Sequence, residues 1–383
     1  MQKKYLMTPG PTPVPAEVLL KTAEPIIHHR TPDFSAALRS AIDNLKYVFE
    51  TSGDVLLFAS SGTGVMEAAI VNCFCAGDRV IVARNGKFGD RQKAICTAYG
   101  LDVIDLSYEW METVKVADIA QALADNPEVR GVIVTQSETS TGVLNDVQAI
   151  GALLRDLPDT VLIVDSITGI GAVECKTDQW GLDVVMTGSQ KGLMLPPGLG
   201  ALTVSEKAWR AYERSTLPKF YFDWKKYKNS IDKDTTPFTP AVTLVLGLNE
   251  ALRMIREEGL ENVQARHRML AEATRKGCEA LGLKLFAPAE GRGNAVTPVW
   301  VPEGVDGKAI VKTLKTDYGV TIAGGQDHLV GKILRIGHLG YFGEFDIITT
   351  LAALEMTLAG LGYAFERGAG IKAAEAVFMG IDK

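Results

Sequence analysis

Lys191 stands in the stretch Leu182 to Gly200, LDVVMTGSQKGLMLPPGLG, directly after an apolar, β-branched run and shortly before Pro196-Pro197-Gly198. A run of this kind reads as a buried strand that ends in a turn. A lysine just past a buried strand, among small and apolar neighbours, has its charged form disfavoured. The neutral amine can attack a carbonyl carbon and form a Schiff base. A turn lysine pointing into solvent is the plainer alternative. Arg335, in ILRIGHLG, is an arginine inside a short apolar strand. That placement suits bidentate capture of a carboxylate, or else a structural ion pair.

Four further stretches bear on what Lys191 would act upon. In SSGTGVMEAA (60–69), glycines lie between a strand and a helix, where backbone amides and the positive end of the helix dipole favour a phosphate. Gly62 and Gly64 match the start of a dinucleotide fingerprint, but Glu67 occupies the place of its third glycine, and no GxxxxGK[ST] occurs. A monophosphate fits better than a dinucleotide or a nucleoside triphosphate; a ligand-free strand–helix turn is the alternative. Asp165 closes the apolar run Val161 to Val164. A carboxylate there needs a cationic or N–H partner or its pKa rises; a pyridinium nitrogen is one such partner, and capping of the next turn is the other reading. Glu138 to Gly142, ETSTG, sets three hydroxyls after a strand, able to meet a phenolic oxygen or a phosphate, or simply to form a turn. Phe88 in NGKFGDR is an aromatic in a glycine-flanked loop, placed to stack on a flat ligand or to anchor the loop. A phosphate cradle, a stacking aromatic, a pyridinium partner, a Schiff-base lysine and a carboxylate clamp are together the parts of a pyridoxal phosphate enzyme acting on an amino acid.

The elements that must carry these parts alternate. VLLFAS (55–60), RVIVA (79–83), VIDL (103–106), GVIVT (131–135), VLIVD (161–165) and DVVMT (183–187) read as strands, with helices over 64–74, 89–99, 116–125 and 146–156 between several of them. Continuous Val/Ile/Leu strands alternating with helices imply an α/β protein with a mostly parallel sheet covered on both faces, whose ligands sit beyond the carboxyl ends of the strands. Ser60–Thr63, Gln136–Thr141, Asp165-Ser166 and Ser189–Lys191 all fall there. Four prolines and a glycine between Met7 and Pro15 make a stiff extended arm. Residues 217–240 show little periodicity. Helices near 241–257, 260–281, 307–317 and 344–360, mixed with strands LKLF, VTPVWV and ILRIG, form a smaller α+β unit. The expected division is an arm over 1–20, a large domain over 21–250 and a small C-terminal domain over 251–383.

The composition narrows the classes. The 383 residues are 46% hydrophobic and 22% charged, the balance of a globular protein with room for a large core. A formal charge of -6 with no basic run argues against nucleic-acid binding. No stretch has the length of a membrane span, and prolines break the N-terminal apolar run, so neither a signal peptide nor a membrane anchor is expected. The five cysteines are scattered and form no paired CxxC motif; a disulfide framework and a metal site are not expected, and a reducing cytoplasm is. Cys73 and Cys75 read as packing residues of one helix.

In order along the chain, TPGPTPVP, SSGTGVMEAA, NGKFGDR, ETSTGVL, VLIVDS, TGSQKGLMLPPG, TPFTPAV and LRIGHLG resemble the class V aminotransferases of pyridoxal phosphate fold type I, within them the alanine–glyoxylate and serine–pyruvate branch. The resemblance runs almost end to end. It implies that Lys191 bonds to the cofactor, Asp165 pairs with the pyridine nitrogen, Phe88 stacks on the ring and Thr139 meets the phenolic oxygen. Ser61, Gly62, Thr63 and Gln190 would surround the phosphate, and Arg335 would bind the substrate carboxylate. Residues matching Thr236 and Thr239 reach the phosphate of the neighbouring subunit in this family, which implies a homodimer with sites at the interface. The implied activity is amino transfer from alanine or serine, with aspartate a further candidate, to glyoxylate or pyruvate. A lyase on a small amino acid and a non-catalytic binder of the cofactor or a metabolite are the alternatives. Animal members carry Trp at the position of Phe88 and His at that of Thr63, so their substrates are not carried over. The related cysteine desulfurases need a loop cysteine, and this chain has none after Cys278. For His28, His29 and His328, packing or capping is the expectation.

Overall fold

The computed structural model describes residues 2–381; the first residue of the expected arm and the last two of the expected C-terminal domain lie outside them. The chain enters extended. Its two-residue strand β1 (Tyr5–Leu6) pairs in parallel with Val320–Thr321, far along the sequence. Helix α1 (Ala16–Thr22) follows, then α2 (Pro32–Phe49). The start of α2 is written locally: the Thr31 hydroxyl accepts the Phe34 N–H and a proline opens the first turn. Phe34, Leu38, Ala41, Ile42, Leu45, Val48 and Phe49 recur at helical spacing and are all buried.

The alternating segment follows. It runs β2 (Asp54–Ala59), α3 (Gly62–Cys73), β3 (Arg79–Arg84), α4 (Lys87–Ala98), β4 (Asp102–Ser107), α5 (Val116–Asp125) and β5 (Gly131–Thr135). A short hairpin, β6 (Ser137–Glu138) and β7 (Val143–Leu144), precedes α6 (Val147–Leu154) and β8 (Val161–Asp165). Then come α7 (Thr177–Trp180), β9 (Val184–Gly188) and β10 (Leu199–Val204). The seven-stranded sheet has the order β2-β10-β9-β8-β5-β3-β4, and only β10 runs against its neighbours. Alternate residues of each strand point to opposite faces, so one sheet feeds two cores. Leu57, Ile81, Val132, Leu162 and Val185 join α2 on one side; Leu56, Val80, Ile133, Ile163 and Met186 join α3 on the other. Burying one such side chain contributes about 1.5–3 kcal/mol, which is why β5, β8 and β9, buried at every position, form the spine of the sheet.

Beyond the sheet lie α8 (Glu206–Arg214), α9 (Trp224–Ile231), α10 (Val242–Glu258) and α11 (Leu260–Ala280). β11 (Val296–Trp300), α12 (Gly307–Asp317), β12 (Val320–Thr321), β13 (Ala323–Gly324), β14 (Ile333–Gly337), α13 (Glu344–Gly360) and α14 (Ala369–Phe378) complete the chain. β11, β14 and β13 form a three-stranded antiparallel sheet with its own core, into which Met7 of the arm inserts. One helix joins the two bodies: Leu260 and Val263 of α11 lie in the core beside α2, Leu270 and Ala273 in the C-terminal core.

Several details depart from the sequence reading. Helix α1 takes up residues 16–20 of the stretch expected to be an extended arm. α9 emerges within the stretch read as aperiodic, because only Trp224 and Tyr227 of its eight residues are buried and the lysines between them hide the pattern. LKLF makes a single bridge, Leu285 to Val299, rather than a strand. α14 lies beyond the last element read from the sequence. Helix α3 ends at Cys73, and Cys75 is a half-buried thiol outside it, donating to the Arg214 carbonyl at 3.2 Å.

Candidate active site

The parallel strands all end on one edge of the sheet, and the singled-out side chains hang from those ends. Ser61 to Thr63 follow β2, Phe88 follows β3, Thr139 follows β5, Asp165 closes β8 and Lys191 follows β9. The turn that carries Lys191 is built by its neighbours. Ser189 donates its hydroxyl to the Pro196 carbonyl and accepts the Leu199 N–H, while its own carbonyl takes the Leu195 N–H. The Pro-Pro-Gly segment thereby folds back and leaves Lys191 only 8% exposed, aimed inward.

The arm arrives over this lysine. The Lys191 Nζ donates to the Pro9 carbonyl at 2.7 Å, and Thr12 bonds the backbone of Gln190 and Lys191. Gly10 sits at φ +134, and a Cβ there would lie 2.1 Å from Nζ, so only glycine lets the arm pass so close. The arm is thus laid across its own chain's site, a placement its prolines alone do not reveal.

Burial pulls the Lys191 pKa down to about 8, opposed by Asp165 and helped by Arg335 and Arg91. Burial pushes Asp165 up to about 7, although the Ile167 N–H donates to its Oδ1 at 3.0 Å; the nearby Glu138 charge adds to the rise. Arg335 is buried on β14 and lowered to about 10 by desolvation. It donates Nε to the Gly324 carbonyl at 2.8 Å and Nη1 to the Thr139 carbonyl at 3.1 Å, and its Nη2 makes no hydrogen bond among the described residues. Thr139 is itself buried and shares a 2.9 Å hydroxyl contact with Thr168. Lys191, Asp165, Arg335 and Thr139 therefore come together, from four separate stretches of sequence.

The cradle at the start of α3 is formed as the glycines suggest. The Ser61 hydroxyl accepts the Gly64 N–H, and the Gly62 and Thr63 amides, first in the helix, have no intrachain partner among the described residues. Arg91, a residue not singled out from the sequence, donates to the Thr63 hydroxyl at 3.1 Å and lies 4.9 Å from the centre of the Phe88 ring. Its signal was the arginine that closes NGKFGDR. The Gln190 Oε1 and Thr187 Oγ1 atoms are buried without a partner. Such atoms mark where another molecule supplies the missing hydrogen bonds. Free helix-start amides, unpartnered polar atoms and a carboxylate held near neutrality fit the phosphate, the ring substituents and the pyridine nitrogen of pyridoxal phosphate.

Thr236 and Thr239 make no hydrogen bond to this cluster. The Thr236 hydroxyl donates to the Phe238 carbonyl at 2.7 Å, Arg30 holds the Thr236 carbonyl at 2.8 Å, and Thr239 is exposed. His28 accepts the Arg30 N–H at 3.2 Å, its ring lies 4.6 Å from that of His29, and His328 packs edge-on against Trp110.

Residues 4–339 match the family described as Aminotransferase class-V. The soluble hydrogenase small subunit of Synechococcus sp. (strain PCC 6716) is 47% identical over 98% of both chains. The L-aspartate–glyoxylate aminotransferase of Paracoccus denitrificans (strain Pd 1222) is 38% identical over 97% of this chain and 95% of its own. Among solved structures, the ureidoglycine–glyoxylate aminotransferase of Bacillus subtilis superposes with a TM-score of 0.95 at 30% identity, over 99% of each chain. The chain belongs to the class V aminotransferases and is a pyridoxal-phosphate-dependent aminotransferase of fold type I.

Proposed function

We propose that this class V aminotransferase moves an amino group from a small amino acid (alanine, serine or aspartate) to a short 2-oxo acid such as glyoxylate or pyruvate. The observation that carries the reading is the buried amine of Lys191, its pKa drawn down to about 8 by burial, with the Asp165 and Arg335 charges acting on it. Pyridoxal phosphate, when bound, would supply an electron-accepting ring. Asp165 keeps a positive charge on the ring nitrogen, and the Gly62 and Thr63 amides, with Ser61 and Gln190, hold the phosphate. Phe88 covers one ring face and Thr139 meets the phenolic oxygen. The Arg335 Nη2 donors take the substrate carboxylate and so choose which bond at Cα stands ready to break. The Lys191 Nζ would take the proton from the substrate Cα as general base and release it again as general acid.

The arm (1–20), a large domain (21–250) and a small domain (251–383) are the functional parts in this reading. Two copies pair, each lending Thr236 and Thr239 to the other's phosphate; the exposure of Thr239 and of Leu20, Ile26 and Phe220 supports this. The five free thiols favour the cytoplasm.

The test is Lys191→Ala. Loss of turnover, together with loss of the visible, borohydride-reducible band that pyridoxal phosphate gives with the parent protein, is expected. Survival of both sinks the assignment. Assay of the parent without an acceptor separates transfer, which stalls after one half-reaction, from a lyase.

A further inference from the structure

Glu138 is the residue the chemistry above leaves unused. It is 0% exposed and forms no salt bridge with any described residue. Its carboxylate instead collects four donors: the Phe88 and Gly89 amides at 3.0 and 3.1 Å on one oxygen, and the Ser140 amide and hydroxyl at 3.1 and 2.6 Å on the other. Burial pushes its pKa up and these donors pull it back. Because all four partners donate, the site is built for the carboxylate rather than for the acid.

The two sets of donors belong to different parts of the active site. Phe88 and Gly89 are in the first turn of α4, whose N-cap, Gly86, offers no capping side chain. Glu138, 50 residues away from Phe88, caps that helix in its place. Gly86 permits this, since a Cβ there would lie 2.4 Å from the Glu138 carboxyl carbon. Ser140, on the other side, also receives the Lys87 N–H and follows Thr139, whose carbonyl takes Arg335. The Glu138 charge is felt by Asp165 at the end of β8 and by Arg335 on β14. Arg91 on α4 and Lys191 after β9 act on Asp165 in the opposite sense.

We propose that Glu138 is a positioning residue for the cofactor site, locking the ring-facing Phe88 and the Thr139–Ser140 turn into one register and keeping a buried negative charge beside the ring. This inference rests on the reading that the site holds pyridoxal phosphate. A charge in this place favours the protonated form of the bound chromophore. A geometric lock in this place lowers the cost of organising the ring contacts when the cofactor binds.

The experiment compares the parent protein with Glu138→Gln, Glu138→Asp and Ser140→Ala, reading the dissociation constant for pyridoxal phosphate, the pH midpoint of the visible band and the melting temperature. Glu138→Gln sets an amide NH2 against donors. It is expected to bind the cofactor about tenfold or more weakly and to move the band's midpoint to lower pH. Glu138→Asp restores the charge and with it the midpoint, while binding stays weakened. Ser140→Ala keeps the anion but loses a donor, so binding weakens with the midpoint in place; this variant carries the test should Glu138→Gln not fold. A purely structural hub would lower the melting temperature and leave the midpoint and the affinity of the folded fraction at parental values, which overturns the proposal, as does parental affinity in Ser140→Ala. A parent protein with no such band overturns the cofactor reading itself.

Discussion

Asp165 and Glu355 are both buried carboxylates, one on the sheet edge and one in the C-terminal body, and they are treated in opposite ways. Glu355 on α13 receives the Gly368, Gly370 and Ile371 amides at 2.7, 3.1 and 3.4 Å, capping α14, whose N-cap Gly368 has no side chain to do so. Asp165 receives one amide and rises to about 7. Thr187, one residue beyond the Met186 that pairs with Asp165, and Gln190, beside Lys191, carry buried, unpartnered oxygens. The C-terminal carboxylate is satisfied from within the chain and holds two helices together. The sheet-edge carboxylate is left with a single amide donor, which is what its proposed role beside the cofactor requires.

The largest expected effect sharpens this contrast. Asp165→Asn should lower turnover by about 10²–10³-fold, the usual scale for removing one aimed charge from an active site. Its raised pKa gives Asp165 a stabilising contribution that is present below the ordinary carboxylate range and lost as pH rises through about 7. At pH 8 the asparagine variant should therefore melt no lower than the parent by calorimetry. Glu355→Ala should do the reverse, costing about 2–3 kcal/mol of stability by denaturant titration with turnover per folded molecule kept. Equal stability losses in both would erase the distinction.

Arg335→Lys comes next. A lysine keeps the charge but loses the planar fork, so KM for the amino acid should rise about 10–100-fold, and kcat should fall with it as the Cα bond loses its alignment. The smallest effect concerns the cofactor-free protein. Lys191 has a lowered pKa, so its contribution to stability is complete only above 10.5 and is lost as pH falls through about 8. Lys191→Met should raise the melting temperature of the cofactor-free form by about 2–4 °C at pH 7, with the gain fading as pH climbs from 8 towards 10.5. No gain at pH 7 would show that the Lys191–Pro9 contact already satisfies the ammonium.

Much of this is legible in the sequence. The runs Gly131–Thr135, Val161–Asp165 and Val184–Gly188 are strands because each is short, apolar and β-branched, and that pattern is local. The helix over Pro32–Phe49 announces its own cap and its own buried face. The ordered motifs sufficed to place the chain in its family and to bring forward Lys191, Asp165 and Arg335. Only the tertiary structure decided that Pro9 rests on the Lys191 amine, that Arg91 spans the start of α3 and the Phe88 ring, and that Glu138 caps a helix 50 residues upstream. Those contacts depend on strand order and on where the arm crosses the sheet. Period and spacing record what neighbours along the chain do to one another, whereas burial, and with it every shifted pKa at this site, is set by residues that meet only after the sheet has closed.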